Sequence, residues 1–248
     1  MENPSKAQIG MYAKQLKLST LSNYEKILHQ LAPDSGYETF LLEVLKSEVL
    51  QRQENQQKRR LKAASFPYYK TLDEFKYSEL KHVNEAYIWE LASCEYIKRR
   101  ENIIMIGSTG NGKSHLSIGL GIRACKEGYN VKFLTAATLV NMLSEARDSY
   151  KLSKIEKSFQ KFDLLVLDEL SYLSFNRHQS ELLFQIIAER SEKASIIVST
   201  NLEFSEWTDL FENEKIIAAM IDRLTFRSHI LNMNGDSYRL KESKRLKS

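Results

Sequence analysis

From Asn102 onwards, the chain alternates short apolar runs with longer stretches in which apolar residues recur at helical spacing. The first four apolar runs are separated by stretches long enough for helices, such as residues 113–127 and 179–192. Strands that alternate with helices in this way form βαβ units and a parallel sheet. The pattern therefore predicts an α/β fold in which helices flank a parallel five-stranded sheet. The five predicted strands are residues 103–106, 131–134, 164–167, 196–199 and 230–233.

The N-terminal quarter of the chain differs, because its apolar residues recur at helical spacing throughout. We expect a small helical module over residues 1–62, with a helix–helix turn at residues 32–36, where proline and glycine interrupt the pattern. The polar and basic tract at residues 52–62 is expected to link this module to the core. Residues 63–100 are expected to form a linker and a helix that lead into the α/β domain at residues 101–248.

The first strand-like run ends in a glycine-rich sequence that fits a phosphate-binding loop. It matches G-x-x-x-x-G-K-[ST] and precedes a helical stretch, which is the context that this loop requires. Backbone N–H groups and the helix N-terminus would face the phosphates of ATP. We expect Lys113 to reach the β- and γ-phosphates and the Ser114 hydroxyl to coordinate Mg²⁺. The predicted nucleotide-binding residues are Gly107, Ser108, Thr109, Gly110, Asn111, Gly112, Lys113, Ser114 and His115.

Polar residues follow the third and fourth predicted strands. Asp168 and Glu169 come directly after the third, and ligands of parallel sheets bind beyond the carboxyl ends of the strands. Asp168 is therefore expected to hold Mg²⁺, directly or through water, and Glu169 to polarise the attacking water. Asn201 follows the fourth strand, where a neutral amide could orient water against the γ-phosphate. Taken alone, Asn201 fits an ordinary turn residue better, and its position after the fourth strand is what favours the functional role.

Composition and charge add three further points. The excess of 36 Lys and Arg over 32 Asp and Glu gives a net charge of +4, which is only a weak indication of a polyanionic partner. No stretch approaches the ~18 apolar residues of a membrane helix, and no export signal is evident, so we expect a cytoplasmic protein that does not bind a membrane. Cys94 and Cys125 form no CxxC sequence and are expected to be reduced structural thiols.

These features together resemble the AAA+ ATPases, and more specifically the IstB family, whose members are helper ATPases encoded beside the transposase of an insertion sequence. The similarity covers nearly the whole chain and rests on a combination of short sequences at residues 66–67, 70–75, 99–102, 168–173, 206–207 and 237–240. Helicase loaders of the DnaC type share the ATPase core. The N-terminal residues therefore contribute much of what distinguishes the IstB family from these loaders. The resemblance implies an AAA+ P-loop fold whose N-terminal helical module promotes assembly or binds a partner.

The resemblance also implies that arginines complete the ATPase site. Arg223 would act as an arginine finger on the ATP of a neighbouring subunit, and Arg239 would be a second sensor within its own subunit. Residues 225–227 stand where the family usually has histidines, so Arg227 is an alternative candidate for the finger. Without the resemblance, these arginines would be interpreted as surface residues in ion pairs.

Five basic residues after the second predicted strand are spaced by four, three, three and four positions. On one continuous helix they would form a stripe that follows DNA phosphates, with strongly salt-dependent binding. A solvated helix face is the alternative, and Asp148, Glu156 and possible breaks at Ser149 and Ser153 favour it. The resemblance favours DNA binding. It implies that a helical insert near this position, as in AAA+ initiators and loaders, lines the DNA channel of the assembled ring or spiral. The five residues are Arg147, Lys151, Lys154, Lys157 and Lys161.

The resemblance implies an ATPase that forms a homo-oligomer with ATP on duplex DNA, largely without reading sequence. This oligomer would select or remodel target DNA and would recruit and stimulate a DDE-type transposase, while this chain performs no strand transfer itself. Two alternatives remain. One is a DnaC-type loader that binds a replicative helicase, and the other is a P-loop small-molecule kinase that works as a monomer and ignores DNA.

Overall fold

The computed structural model describes residues 4–77, 83–171, 175–209, 211 and 213–235. Within the chain, two compact units divide at the boundary between Arg59 and Arg60. Arg239, the predicted second sensor, lies outside the described residues.

The first unit is helical. Its small core contains Ala13 and Val44, and the buried Glu48 carboxylate accepts hydrogen bonds from the backbone N (3.0 Å) and the hydroxyl (2.7 Å) of Thr20. The polar tract at residues 52–62 is helical, because it belongs to the helix that runs through the unit boundary. The elements are α1 (Pro4–Gln15), a 3₁₀ turn (Thr20–Asn23), α2 (Tyr24–Gln30) and α3 (Tyr37–Ala64).

The second unit contains all five predicted strands in one parallel sheet. The strands are β1 (Asn102–Ile106), β2 (Val131–Thr135), β3 (Leu164–Asp168), β4 (Ser195–Thr200) and β5 (Ser228–Asn232). The strand order is β2-β3-β4-β1-β5, so the strand that leads into the glycine-rich loop lies between β4 and β5. The last strand begins two residues earlier than predicted, at Ser228, because the sheet register pairs Asn102 with Ser228.

Helices cover both faces of this sheet. The helices are α4 (Glu85–Leu91), α5 (Glu95–Lys98), α6 (Lys113–Lys126), α7 (Ala136–Asp148), α8 (Leu152–Phe159), α9 (Arg177–Arg190) and α10 (Glu214–Thr225). On β1, Ile103 and Met105 join a core that includes residues of α4, α5 and α6, whereas Ile104 and Ile106 join a core with α7, α9 and α10. Strands buried on both faces are apolar at every position, which explains the continuous runs in the sequence. Among the described residues, no helix has the length and apolar character needed to cross a membrane.

The prediction that the five basic residues form a stripe on one continuous helix is wrong. α7 ends at Asp148 and α8 begins at Leu152, and Tyr150 between them has a left-handed φ of 56°. The Ser149 hydroxyl donates to the carbonyl of Glu145 at 2.8 Å, which is a local bond that competes with helix continuation. All five basic residues are exposed, but they are divided among α7 (Arg147), the turn (Lys151), α8 (Lys154 and Lys157) and the segment that follows α8 (Lys161).

Candidate active site

The glycine-rich sequence forms a tight loop between β1 and α6. Gly112 has a φ of 83°, a left-handed conformation that costs a residue with a side chain more than it costs glycine. Lys113 is the first residue of α6, and its ammonium donates to the carbonyl oxygens of Gly107 (2.5 Å) and Ser108 (2.9 Å). The positively charged group is therefore held at the loop, next to the N-terminus of a 14-residue helix.

The segment that follows β5 packs against this loop. A Cβ atom on Gly107 would lie 2.5 Å from the carbonyl carbon and oxygen of Met233, so only glycine allows this approach. The buried Asn111 side chain donates to the carbonyl oxygens of Met233 (2.8 Å) and Gly235 (3.1 Å). Asn111 therefore holds the loop in shape, a role that the sequence pattern did not indicate.

The acidic pair lies at the carboxyl end of β3, where one serine contacts both residues. Asp168 is buried and Glu169 is exposed. The Ser199 hydroxyl donates to Asp168 Oδ1 and accepts a hydrogen bond from the backbone N of Glu169 at 3.0 Å. Glu169 has a φ of 58°, and the next residue, Leu170, donates its backbone N–H to the Ser199 carbonyl at 3.0 Å. Ser199 thus fixes the point at which the chain leaves β3.

One pocket unites the predicted residues at this edge of the sheet. The loop and the start of α6 contribute Thr109, Gly110 and residues 112–115, and the end of β3 contributes Glu169 and Ser171. Residues 199–201 complete this side, with the Asn201 backbone N donating to the Ser171 hydroxyl at 3.1 Å. The structure therefore brings Lys113, Ser114, Glu169 and Asn201 together, while Asp168 is buried behind Ser199.

Tyr68 and Lys70 form a further wall of this pocket, which the sequence interpretation did not assign to the site. The Lys70 ammonium lies 5.6 Å from the centre of the Tyr68 ring, within the range of a cation–π contact. The signal available in the sequence was the short run at residues 70–75, which contributed to the resemblance but suggested no chemistry.

The turn after this wall is attached to the start of α6. The backbone N and hydroxyl of Thr71 bond to the Glu74 carboxylate at 3.1 and 3.0 Å, and together they cap a 3₁₀ turn at Leu72–Glu74. His115 Nε2 donates to the Thr71 carbonyl at 2.7 Å, which requires the proton on Nε2, and the His115 ring packs edge-on against Phe75. His115 therefore lines the pocket and also anchors the upstream wall.

The predicted arginine fingers lie away from this pocket. The Arg223 guanidinium donates to the Ala219 carbonyl at 3.0 Å and lies 5.0 Å from the centre of the Phe184 ring. Arg227 is exposed and has a left-handed φ of 51°. Neither is among the described residues that line the pocket. The finger role of either arginine stays a prediction, because it requires a second subunit.

The chemistry of the pocket fits a magnesium-bound nucleoside triphosphate. Lys113 and the N-terminus of α6 supply positive potential for phosphates. The Ser114 hydroxyl and the Asp168 and Glu169 carboxylates are oxygen donors, which Mg²⁺ prefers. Together, these groups can bind phosphate, hold a hard cation and place a carboxylate beside a water molecule.

Comparison with known proteins identifies relatives over nearly the whole length of the chain. Residues 11–246 match the family model described as IstB-like ATP binding protein. The candidate ATP-binding protein of insertion sequence IS5376 from Geobacillus stearothermophilus is 36% identical over 241 residues, which are 96% of each chain. This similarity extends through the helical N-terminal unit as well as the sheet domain.

Solved structures share the fold at lower identity. The crystal structure of the DnaC helicase loader superposes with a TM-score of 0.52 at 21% identity, covering 71% of this chain and 98% of that chain. AMPPCP-bound DnaA from Aquifex aeolicus gives a TM-score of 0.58 at 22% identity, and the matched region is 74% of this chain and 56% of DnaA. The chain thus spans little more than half of that initiator. These similarities establish the AAA+ P-loop fold.

Proposed function

Because this chain belongs to the family of IstB-like ATP-binding proteins of insertion sequences, we propose that it hydrolyses ATP to control its own assembly on duplex DNA and thereby assists a transposase. The observation that carries the ATPase part is the pocket in which the phosphate-binding loop, Glu169 and Asn201 meet. The insertion-sequence relatives support the transposition part.

Each group in the pocket has a task in hydrolysis. The loop backbone and Lys113 bind the β- and γ-phosphates and position the terminal phosphoryl group. When bound, Mg²⁺ neutralises charge on the phosphate oxygens, and Ser114 and Asp168 are the residues that would hold it. The Glu169 carboxylate accepts a hydrogen bond from the attacking water and orients it. The Asn201 amide donates to the γ-phosphate or to that water without adding charge.

A neighbouring subunit completes this machinery in our proposal. Neither Arg223 nor Arg227 is among the described residues that line the pocket, whose described cations are Lys70 and Lys113, so either arginine would act on the ATP of a neighbouring subunit. Head-to-tail contacts of this kind form rings or helical assemblies. ATP binding then favours assembly, and hydrolysis reverses it. An isolated subunit binds ATP and hydrolyses it slowly.

The subunits are proposed to assemble on duplex DNA. The basic residues around the α7–α8 turn are exposed and suit phosphates, whose contacts carry no sequence information. The DNA-bound oligomer then recruits and stimulates a DDE-type transposase. A replicative helicase is the alternative partner, which the DnaC-like fold favours without establishing it.

ATPase and sedimentation measurements on the full chain, with and without duplex DNA, test the proposal. We expect DNA and ATP together to produce a large species in sedimentation or electron microscopy and to raise turnover per subunit. Glu169→Gln should form the same species and retain it, since hydrolysis no longer reverses assembly. Turnover that ignores DNA and requires a small-molecule phosphate acceptor would instead indicate a kinase.

A pull-down distinguishes the two macromolecular partners. The ATP- and DNA-bound Glu169→Gln protein is offered the transposase encoded with it and, separately, the replicative helicase of the same cell. We expect retention of the transposase and stimulation of its strand-transfer activity. Retention of the helicase alone would replace the transposition role with a loader role.

A further inference from the structure

The turn between α7 and α8 closes with a specific hydrogen-bond pattern. The backbone N of Tyr150 donates to the Arg147 carbonyl at 3.0 Å, and the backbone N of Lys151 donates to the Ala146 carbonyl at 2.6 Å. These are the two bonds of a Schellman motif, in which the residue at the position of Tyr150 adopts a left-handed conformation. The φ of Tyr150 is 56°, as the motif requires.

Tyrosine is an unfavourable residue at this position. Helices that end in this way usually have glycine there, because a side chain in the left-handed region crowds the neighbouring backbone. A buried tyrosine could recover that free energy through packing, but the Tyr150 side chain is 97% exposed. Backbone strain of this kind is often found at functional sites. The conformation alone assigns no role, since Lys17 closes α1 with the same pair of bonds, but it leaves the Tyr150 ring exposed for contact with a partner.

The charges near Tyr150 indicate the class of partner. Arg147 is one turn before it, and Lys151 and Lys154 follow it, all with exposed side chains. Asp148 is the acidic residue nearest in sequence, and its carboxylate is 3.4 Å from the Arg147 Nε. An exposed aromatic ring flanked by basic side chains combines a group that stacks on bases with groups that bind phosphates.

We propose that Tyr150 inserts its ring between adjacent base pairs of duplex DNA, while Arg147, Lys151 and Lys154 bind the phosphates on either side. The inference rests on the proposed assembly on DNA and deepens it, because it names the residue that unstacks the duplex. The Schellman turn holds the exposed ring between α7 and α8. A side chain inserted between two base pairs in this way kinks the duplex.

The test compares Tyr150→Gly with Tyr150→Phe in the full chain with ATP. Glycine suits the left-handed turn, so Tyr150→Gly should fold and melt at the same temperature or higher. The DNA contains 2-aminopurine, whose fluorescence rises when its neighbours unstack. We expect this rise with the wild type and with Tyr150→Phe, and its loss with Tyr150→Gly. Duplex affinity of Tyr150→Gly should fall about fivefold or more.

Salt titration separates the ring from the charges. The slope of log affinity against log salt should be the same for Tyr150→Gly as for the wild type, because the phosphate contacts remain. Lys154→Gln should lower that slope by about one and keep the fluorescence rise.

Three results would overturn the inference. If the wild type fails to bind duplex DNA, the proposed function and the inference fail together. If the wild type binds DNA and Tyr150→Gly binds it with equal affinity and equal fluorescence, the inference alone fails. If Tyr150→Gly keeps both DNA signals but loses transposase stimulation, the ring contacts a protein instead of base pairs.

Discussion

Ser199 connects the two acidic residues of the site through a single hydroxyl group. It donates to the carboxylate of Asp168 and accepts from the backbone N of Glu169, and its own side chain is 2% exposed. A buried hydroxyl with both its donor and its acceptor in use has a fixed orientation. Ser199 is therefore a positioning residue, which aligns one carboxylate and the backbone that carries the other.

Ser199→Ala should slow ATP hydrolysis without preventing nucleotide binding. Loss of a hydrogen bond to a charged group leaves Asp168 less well held, so we expect turnover to fall roughly tenfold or more and half-saturation by Mg²⁺ to need a higher concentration. A magnesium titration of ATPase activity measures both effects. Ser195→Ala is the matched control, since Ser195 is buried at the opposite end of β4. Equal activity of the two variants would contradict the role of Ser199.

Glu169→Gln should separate nucleotide binding from turnover. The amide keeps the size of the side chain and loses the charge that polarises water, so turnover should fall by at least about 100-fold. Binding of a fluorescent ATP analogue should stay close to that of the wild type, because the loop and Lys113 are unchanged. An active Glu169→Gln protein would refute the assigned role. Glu127→Gln, at the far end of α6, is the control that should leave turnover unaffected.

At the scale of secondary-structure elements, Asn102 joins three parts of the sheet domain. Its buried side chain accepts from the backbone N of Ile196 on β4 at 3.0 Å and donates to the Leu224 carbonyl on α10 at 3.0 Å. Asn102 itself starts β1. One amide therefore fixes the end of the helix that carries Arg223 relative to the strand that leads into the phosphate-binding loop.

Asn102→Ala should destabilise the protein by about 2–4 kcal/mol, because buried backbone groups on β4 and α10 lose their partner. Chemical denaturation followed by circular dichroism measures the free energy of unfolding. Asn141→Ala, on the exposed side of α7, is the control and should change this free energy by less than about 0.5 kcal/mol. A similar small change for Asn102→Ala would show that the amide bonds contribute little.

The sequence predicted elements better than the contacts between them. The strands were predictable because residues buried on both faces of a sheet are apolar throughout, and the loop because Gly107 to Ser114 carries a fixed pattern. The break after α7 was only one of two alternatives, a possible break at Ser149, because tyrosine stands where glycine would have marked the helix end. Tyr68 and Lys70 were missed because the fold brings them to the pocket from about 40 residues upstream. Hydrophobic periodicity within a short stretch of sequence does not indicate such a distant contact.

At the scale of the whole molecule, the location of the arginines leads to a prediction about mixed assemblies. Lys113→Ala should be inactive because it cannot hold phosphates, and Arg223→Ala should be inactive because it cannot complete its neighbour's site. In a mixture, an Arg223→Ala subunit binds ATP and can receive Arg223 from a Lys113→Ala neighbour. Random mixing in a head-to-tail assembly would complete roughly one site in four. ATPase activity should therefore appear on mixing two inactive proteins.

A second mixture serves as the control for this complementation. In the proposed mechanism, Glu169 acts on the ATP of its own subunit, so Lys113→Ala combined with Glu169→Gln supplies no subunit with both intact groups, and this mixture should stay inactive. The same experiment decides between the two candidate fingers. Only the variant that lacks the arginine acting on a neighbour should regain ATPase activity when it is mixed with Lys113→Ala. If neither Arg223→Ala nor Arg227→Ala gains activity on mixing, while the wild type is active, the site is completed within one subunit. ATPase activity would then no longer depend on assembly.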